Sequence, residues 1–259
     1  MRKIYLIGIG PGDPKYLTVQ AIEAMNKADV FFIFDKAGRG KNDLIDIRQN
    51  MLKKFVKKQK YKIVSAPNPE RENKSGKAAY EKAVGDWRDR KRAVMAGLIE
   101  NGMKANQTGA FLIWGDPSLY DGSIEMLHSI RAKGGLKFDF EIVPGITSIQ
   151  ALTARHRIPL NRTGESIRIT TGRRLNEKVS AAENVVVMLD GQAAWKNFAG
   201  KNAEIFWGAY LGTKSEVLLS GKLKDVAGDC EKLKTRSRNR KGWIMDTYLL
   251  RASKRKPNK

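Results

Sequence analysis

Short apolar runs and amphipathic segments alternate at the start of the chain. Residues 4–9 and 30–34 are continuous apolar runs, which are typical of buried strands. Between them, the apolar residues of segment 17–28 recur at helical spacing, and Thr18 is a candidate N-cap. The loop before this helix is rich in glycine and proline. The pattern predicts strand, glycine loop, helix and strand, which is the beginning of an open parallel sheet.

The same reasoning assigns elements to the rest of the chain. Helices are predicted at 43–56, 78–102, 124–133 and 149–156. Strands are predicted at 61–65, 110–114, 138–143, 167–171, 184–189, 203–210, 216–219 and 242–250. Many strands follow the last long helix, so the second half is expected to hold a mixed, partly antiparallel sheet. We therefore predict an N-terminal α/β domain over 1–118 with a mostly parallel sheet, and a C-terminal α/β domain with a mixed sheet over 119–259.

Charge adds a second constraint. The 259 residues include 49 Lys and Arg against 27 Asp and Glu, so the formal net charge is +22. The excess lies in segments 36–105 and 171–259, whereas 1–35 and 106–170 are nearly neutral. Such a balance is compatible with nucleic-acid binding, with an acidic small substrate, or with a basic surface that has no specific role.

Cysteine and histidine usage excludes several classes of protein. Cys230 is the single cysteine, which excludes a disulfide scaffold and a cysteine-based zinc site. His128 and His156 lie far apart in sequence, so no metal is predicted. No apolar run reaches the roughly 18–20 residues of a membrane span, and the first apolar run is interpreted as a strand rather than a signal peptide. The expected location is a reducing cytoplasm, away from membranes.

Three turn-rich loops follow predicted strands, at residues 8–14, 115–120 and 144–148. In an open α/β sheet, ligands bind at the carboxyl ends of the strands, so these loops are the candidate site. The first loop reads GIGPGDP, which departs from the dinucleotide-binding spacing. Pro14 removes a backbone N–H that a pyrophosphate would need, and Pro11 also interrupts the loop. A nicotinamide oxidoreductase is therefore disfavoured.

The three loops, together with Leu17-Thr18 and Ile158-Pro159-Leu160, resemble the tetrapyrrole (corrin/porphyrin) methylase family over almost the whole chain. Strings that resemble its deacetylating branch occur at 30–36 with Asp43-Leu44 and Arg48, and at 114–121, 154–162, 169–174, 187–191, 207–213 and 242–251. The resemblance implies a two-domain class III methyltransferase fold with S-adenosylmethionine in a cleft between the domains, usually as a homodimer. It also implies a role in cobalamin synthesis: methylation of carbon 1 of precorrin-5, with S-adenosylhomocysteine and acetate as products.

The resemblance assigns roles to individual residues. The implied cofactor contacts are Pro11, Trp114, Gly115, Asp116, Leu119, Thr147, Ser148, Met188, Leu189 and Gly212. One residue is inserted at 188–191 relative to the family pattern, so the resemblance does not distinguish Met188 from Leu189. Asp35 matches a proposed proton acceptor, and Lys36 or Lys41 is the candidate for a catalytic lysine. Asp116 would either help bind the sulfonium or cap its own turn.

Tetrapyrroles carry many carboxylates, which arginine pairs with through its planar fork. The predicted substrate contacts are Arg155, Arg162, Arg173 and Arg174, with Asp13 or Tyr120 as the group that orients water for deacetylation. The lysine-rich segments 53–62 and 232–241 are expected to be solvated surface. Two alternatives stay open: a methylase of the same superfamily that acts on another tetrapyrrole or on ribosomal RNA, and a basic nucleic-acid-binding protein without activity.

Overall fold

The computed structural model describes residues 1–35, 42–58, 60–70, 72, 76–175 and 184–253. The chain divides into two compact units: Met1–Gly10 with Pro14–Ile146, and Pro11–Asp13 with Thr147–Lys259. The boundary predicted at 118/119 therefore moves to 146/147. The reason is that segment 138–143 is a strand paired in parallel with the first strand, so it belongs to the first sheet.

The first unit is built on a five-stranded, entirely parallel sheet. Its strands and helices are β1 (Arg2–Gly8), α1 (Val19–Lys27), β2 (Val30–Asp35), α2 (Asn42–Phe55), β3 (Lys62–Pro67), α3 (Lys77–Gly102), β4 (Thr108–Ile113), α4 (Ser123–Ala132) and β5 (Phe138–Val143). The strand order is β3-β2-β4-β1-β5. This arrangement confirms the parallel sheet predicted from the succession of apolar strands and amphipathic helices.

Helices cover both faces of this sheet. Ile4 and Leu6 of β1 pack with residues of α3 and α4, whereas Tyr5 and Ile7 pack with residues of α1 and α2. Burial on both faces explains why the strands are continuous apolar runs rather than alternating ones. Thr18 caps α1 as predicted, since its hydroxyl accepts a hydrogen bond from the Ala21 N–H at 3.0 Å.

The second unit contains a five-stranded mixed sheet. Its elements are α5 (Ser148–His156), β6 (Ile167–Thr171), β7 (Asn184–Met188), β8 (Ala203–Ala209), β9 (Val217–Lys222), α6 (Leu223–Lys241) and β10 (Asp246–Ala252). The order is β6-β7-β10-β8-β9, with β6 and β7 parallel and the other pairs antiparallel. Trp195, Trp207 and Tyr248 are the largest side chains of its core. The mixed sheet was predicted.

Helix α6 was not predicted: no element was expected between the strands predicted at 216–219 and 242–250, which is where this helix lies. Its buried residues are Leu223, Cys230, Lys234 and Ser237, of which two are polar. A helix with so few buried apolar residues lacks the periodic signal on which sequence reasoning depends. Gly242 ends it in a left-handed conformation, so β10 begins only at Asp246.

Neither a membrane span nor a metal-binding cluster is found in the described part of the chain. None of the helices there is long and apolar enough to cross a membrane. Among the same residues, no group of three His, Cys, Asp or Glu side chains is arranged to hold a metal ion.

Candidate functional site

The loops after β1, β4 and β5 meet at the carboxyl edge of the parallel sheet. A Cβ on Gly8 would lie 2.6 Å from the Gly145 nitrogen, and a Cβ on Gly145 would lie 2.2 Å from the Gly115 oxygen. Gly10 and Gly115 also exchange backbone hydrogen bonds of 3.2 and 3.0 Å. Backbones approach this closely only where side chains are missing. The sequence predicted these glycines as turns, and the structure shows that they also form a contact.

Asp116 links the loop after β4 to the loop after β5 by hydrogen bonds. Its carboxylate accepts hydrogen bonds from the Gly145 N–H and the Ser118 N–H, both at 2.8 Å, and from the Ser118 hydroxyl. Burial opposes ionisation, but these hydrogen bonds prevail and hold the pKa of Asp116 below its usual value. Asp116 therefore caps the turn, which was one of its two expected roles, and stays ionised while doing so.

Trp114 and Leu119 flank this turn and are half-buried, whereas Tyr120 is 47% exposed. Tyr120 has a left-handed backbone with φ of 54°. That conformation costs an L-residue about 1–2 kcal/mol, and such strain concentrates at functional sites.

Asp35 is the last residue of β2 and its side chain is exposed at the same edge of the sheet. Its backbone oxygen accepts a hydrogen bond of 2.7 Å from the Asn68 N–H, which secures the strand end. Lys36 and Lys41, the candidates for a catalytic lysine, lie outside the described residues.

Helix α5 of the second unit begins at two predicted cofactor contacts. Thr147 is the N-cap of α5: its hydroxyl accepts from the Ile149 N–H at 3.1 Å, and its own N–H donates to the Gln150 side chain at 3.1 Å. Ser148 is the first residue of the helix. The remaining backbone N–H groups of this first turn are of the kind that bind anions.

Leu189 follows β7 in a left-handed conformation, with φ of 53°, and its side chain is 65% exposed. Met188, the last residue of β7, is half-buried and pairs with Thr247. An exposed leucine in a strained backbone conformation is unfavourable in the free protein, which makes this turn a candidate ligand contact.

A buried polar network holds the turn after Leu189. The Asp190 carboxylate accepts hydrogen bonds from two backbone N–H groups at 3.0 and 2.7 Å and from the Tyr248 hydroxyl at 2.7 Å. The Lys234 ammonium donates to the Asp190 backbone oxygen and to the Asp246 carboxylate, each at 2.5 Å. Burial raises the pKa of Asp246, although the Lys234 charge opposes this. Sequence reasoning missed this network, because its members are far apart in the chain.

Residues 11–13 pack against the turn that contains Gly212. A Cβ on Gly12 would lie 2.7 Å from the Thr213 methyl group. The Gly212 N–H donates to one Glu216 carboxylate oxygen at 2.8 Å, and Arg155 donates to the other at 2.5 Å. Glu216 thus links a predicted cofactor contact, Gly212, to a predicted substrate arginine, Arg155, beside residues 11–13. Glu216 was expected only to begin a strand, so its linking role was missed.

Of the two predicted site residues in segment 11–13, Pro11 is buried and Asp13 is half-buried.

The other predicted arginines fall at opposite ends of the second sheet. Arg162 donates to the Ala252 oxygen at 2.8 Å, at the end of β10, whereas Met188 pairs near the beginning of β10. Arg162 is therefore separated from Met188 and Leu189 by the length of a strand and lies outside the candidate site.

Arg173 and Arg174 directly follow β6, whose last residue, Thr171, pairs with Met188. Both side chains are exposed. These arginines therefore lie at the same edge as Leu189, as a shared site requires.

Comparison with known proteins is consistent with these features. The model of the tetrapyrrole (corrin/porphyrin) methylases matches residues 3–227. The chain is 42% identical over 252 residues to the precorrin-6A synthase (deacetylating) of Sinorhizobium sp., covering 97% of this chain and 95% of that protein. The crystal structure of a cobalamin synthesis related protein, CobF, of Corynebacterium diphtheriae superposes with a TM-score of 0.81 at 38% identity, covering 97% of this chain and 98% of that one.

A more distant structure shows the fold alone. Uroporphyrin-III C-methyltransferase of Thermus thermophilus, solved with S-adenosylhomocysteine, superposes with a TM-score of 0.57 at 18% identity, over 99% of this chain and 97% of that one.

Proposed function

Since the chain belongs to the tetrapyrrole (corrin/porphyrin) methylase family, we propose that it is an S-adenosylmethionine-dependent methyltransferase of cobalamin synthesis, a precorrin-6A synthase (deacetylating). Its likeness to the Sinorhizobium synthase over nearly all of both chains carries this proposal. In the proposed reaction, carbon 1 of precorrin-5 gains a methyl group, and water is consumed as the extruded two-carbon unit leaves as acetate. The family resemblance also supports a homodimer and a cytoplasmic location as parts of the same proposal.

The predicted contact residues fit S-adenosylmethionine in chemical type. Leu189 offers exposed apolar surface for an adenine ring, and the first turn of α5 offers N–H groups for a carboxylate. The ionised Asp116 supplies negative charge, which suits a sulfonium. Between the two candidates at 188–189, we favour Leu189, because Met188 is half-buried at the end of β7.

When bound, this cofactor supplies an activated methyl group whose displacement depends mainly on positioning. The glycine contact between the loops and the Asp116 cap would provide that positioning from a rigid edge of the sheet. Asp35 would then accept the proton released after methyl transfer, and Asp13 or Tyr120 would orient the water for deacetylation. Arg173, Arg174 and Arg155 would pair with substrate carboxylates, with Glu216 controlling the orientation of Arg155.

Titration calorimetry with S-adenosylhomocysteine and with NAD tests the cofactor assignment. We expect saturable binding of S-adenosylhomocysteine and none of NAD. Leu189→Asp should weaken this binding at least about tenfold by placing charge on an apolar contact. Val19→Asp is the matched control, since Val19 is also an exposed apolar residue and begins α1. Failure of the unmodified protein to bind S-adenosylhomocysteine would contradict the proposal.

The alternative of RNA methylation predicts a different result. Tight RNA binding with a steep salt dependence at physiological ionic strength would favour that alternative.

A further inference from the structure

Two half-buried cations, Arg48 on α2 and Lys91 on α3, lie near the carboxyl ends of β2 and β4. Neither was among the substrate contacts predicted from the sequence. Both side chains are partly removed from water, unlike the many exposed lysines of this chain, so their charges require compensation.

The Arg48 guanidinium is fixed in place by the backbone. Its Nε donates to the Leu112 oxygen of β4 at 3.0 Å, and its Nη1 donates to the Leu44 oxygen at 2.9 Å. The guanidinium carbon lies 6.0 Å from the centre of the Trp114 ring. These contacts orient the planar guanidinium. Among the described residues they engage two of its N–H donors, so the other donors are available to an acceptor there.

The Lys91 ammonium lies against aromatic rings. Its Nζ is 5.2 Å from the centre of the Phe34 ring and 5.3 Å from that of Trp87. Trp87 is itself fixed, because its indole N–H donates to the Pro69 oxygen at 2.8 Å. Ring faces stabilise a cation but provide no full negative charge.

The positive charge here exceeds the negative charge. Burial lowers the pKa of Arg48 to about 10 and also lowers that of Lys91, although Asp121 opposes both effects. The Asp121 carboxylate accepts a hydrogen bond from the Ser123 N–H at 2.8 Å. Within the described ranges, no carboxylate oxygen lies within 4.0 Å of either cation. The undescribed segment 36–41 contains no acidic residue either.

Charged groups that are partly removed from water are normally paired. Two such cations with no carboxylate oxygen within 4.0 Å among the described residues therefore point to a ligand that supplies the anion. We propose that Arg48 and Lys91 form a subsite for a carboxylate side chain of the acidic tetrapyrrole. This inference rests on the proposed function for its ligand. The place is suitable: Phe34 precedes the predicted base Asp35, and Trp114 is a predicted cofactor neighbour. The fixed fork of Arg48 suits a planar carboxylate, and Lys91 adds a second charge.

Binding of an acidic tetrapyrrole, measured without turnover, tests the subsite. Uroporphyrin III is the probe, and quenching of tryptophan fluorescence reports its binding. Lys91→Met removes the charge and keeps an apolar stem over the rings, so we expect uroporphyrin affinity to fall about tenfold. Arg48→Lys keeps the positive charge but removes the planar guanidinium, so it should also weaken uroporphyrin binding. Lys82→Gln, an exposed cation on the same helix, is the matched control and should leave the affinity unchanged.

If Lys91 only stabilised the fold, its substitution would change thermal stability and ligand affinity in a different way. If Lys91 served stability, Lys91→Met would lower the thermal midpoint; for a ligand subsite, we expect the midpoint to stay or rise while tetrapyrrole affinity falls. S-adenosylhomocysteine affinity should not change in Lys91→Met or Lys82→Gln; Arg48→Lys is left out of this comparison, because Arg48 lies beside Trp114, a predicted cofactor contact. Equal uroporphyrin affinity in unmodified protein and Lys91→Met would overturn the subsite, whether or not precorrin-5 is turned over. Conversely, lack of turnover with a Lys91-dependent affinity would reject the proposed reaction and retain the subsite.

Discussion

Individual residues carry most of the information about the candidate site. The three glycines at 8, 115 and 145 are recognisable in the sequence as turn residues. Their mutual contact could not be predicted, because it depends on the strand order that places β1 between β4 and β5. Asp116 shows the same limit: a turn aspartate was expected, but not that its second oxygen would reach the Gly145 N–H.

Adding a methyl group at Gly145 should separate the loops. In Gly145→Ala the new Cβ would lie 2.2 Å from a backbone oxygen, which cannot be accommodated without movement. We expect a loss of about 1–3 kcal/mol in the free energy of unfolding, as for overpacked sites, together with weaker S-adenosylhomocysteine binding. Chemical denaturation and calorimetry measure the two effects.

Gly135→Ala is the control for this change, since a Cβ there meets nothing within 4 Å. If Gly145→Ala were as stable as this control and bound the ligand equally well, the loop contact would have no role in the site.

If Asp35 is the base, its substitution should slow the chemical step without weakening cofactor binding. Asp35→Asn removes the proton acceptor and keeps the size of the side chain, so we expect turnover to slow about a hundredfold. The dissociation constant of S-adenosylhomocysteine should stay the same, as calorimetry will show. Unchanged turnover would mean that Asp35 is not the base.

At the scale of elements, apolar patterning predicted the strands and most helices, since each buries a periodic apolar face. It failed for α6, whose buried face includes Lys234 and Ser237. The domain boundary was misplaced for a related reason: segment 138–143 is recognisable as a strand, but the sheet it joins depends on long-range pairing with β1. Elements that bury polar groups or pair across long distances are therefore hard to assign from sequence.

The buried ion pair beneath the 188–191 turn gives a test at this scale. Lys234→Met leaves the Asp246 carboxylate buried without its cation, and removing one partner of a buried pair typically costs about 3–5 kcal/mol. We expect a large fall in the free energy of unfolding, measured by chemical denaturation. The double variant Lys234→Met with Asp246→Asn should recover part of that loss, because no unpaired charge remains. Equal stabilities of the single and double variants would contradict the ion-pair account.

At the scale of the whole molecule, the net charge of +22 does not identify which basic residues bind a ligand. Charge counting does not distinguish Lys53 and Lys54, which are exposed, from Arg48 and Lys91, which are half-buried beside aromatic rings. Burial is a property of the fold, so these two cations could not be selected from sequence alone.

The proposed reaction joins methyl transfer to deacetylation in a single enzyme. Incubation with precorrin-5 and methyl-labelled S-adenosylmethionine, with both products quantified over time, tests it most directly. We predict that label enters the tetrapyrrole and that acetate appears in equal amount at the same rate. Methyl incorporation without acetate, or no transfer to precorrin-5 by protein that binds S-adenosylhomocysteine, would contradict the account.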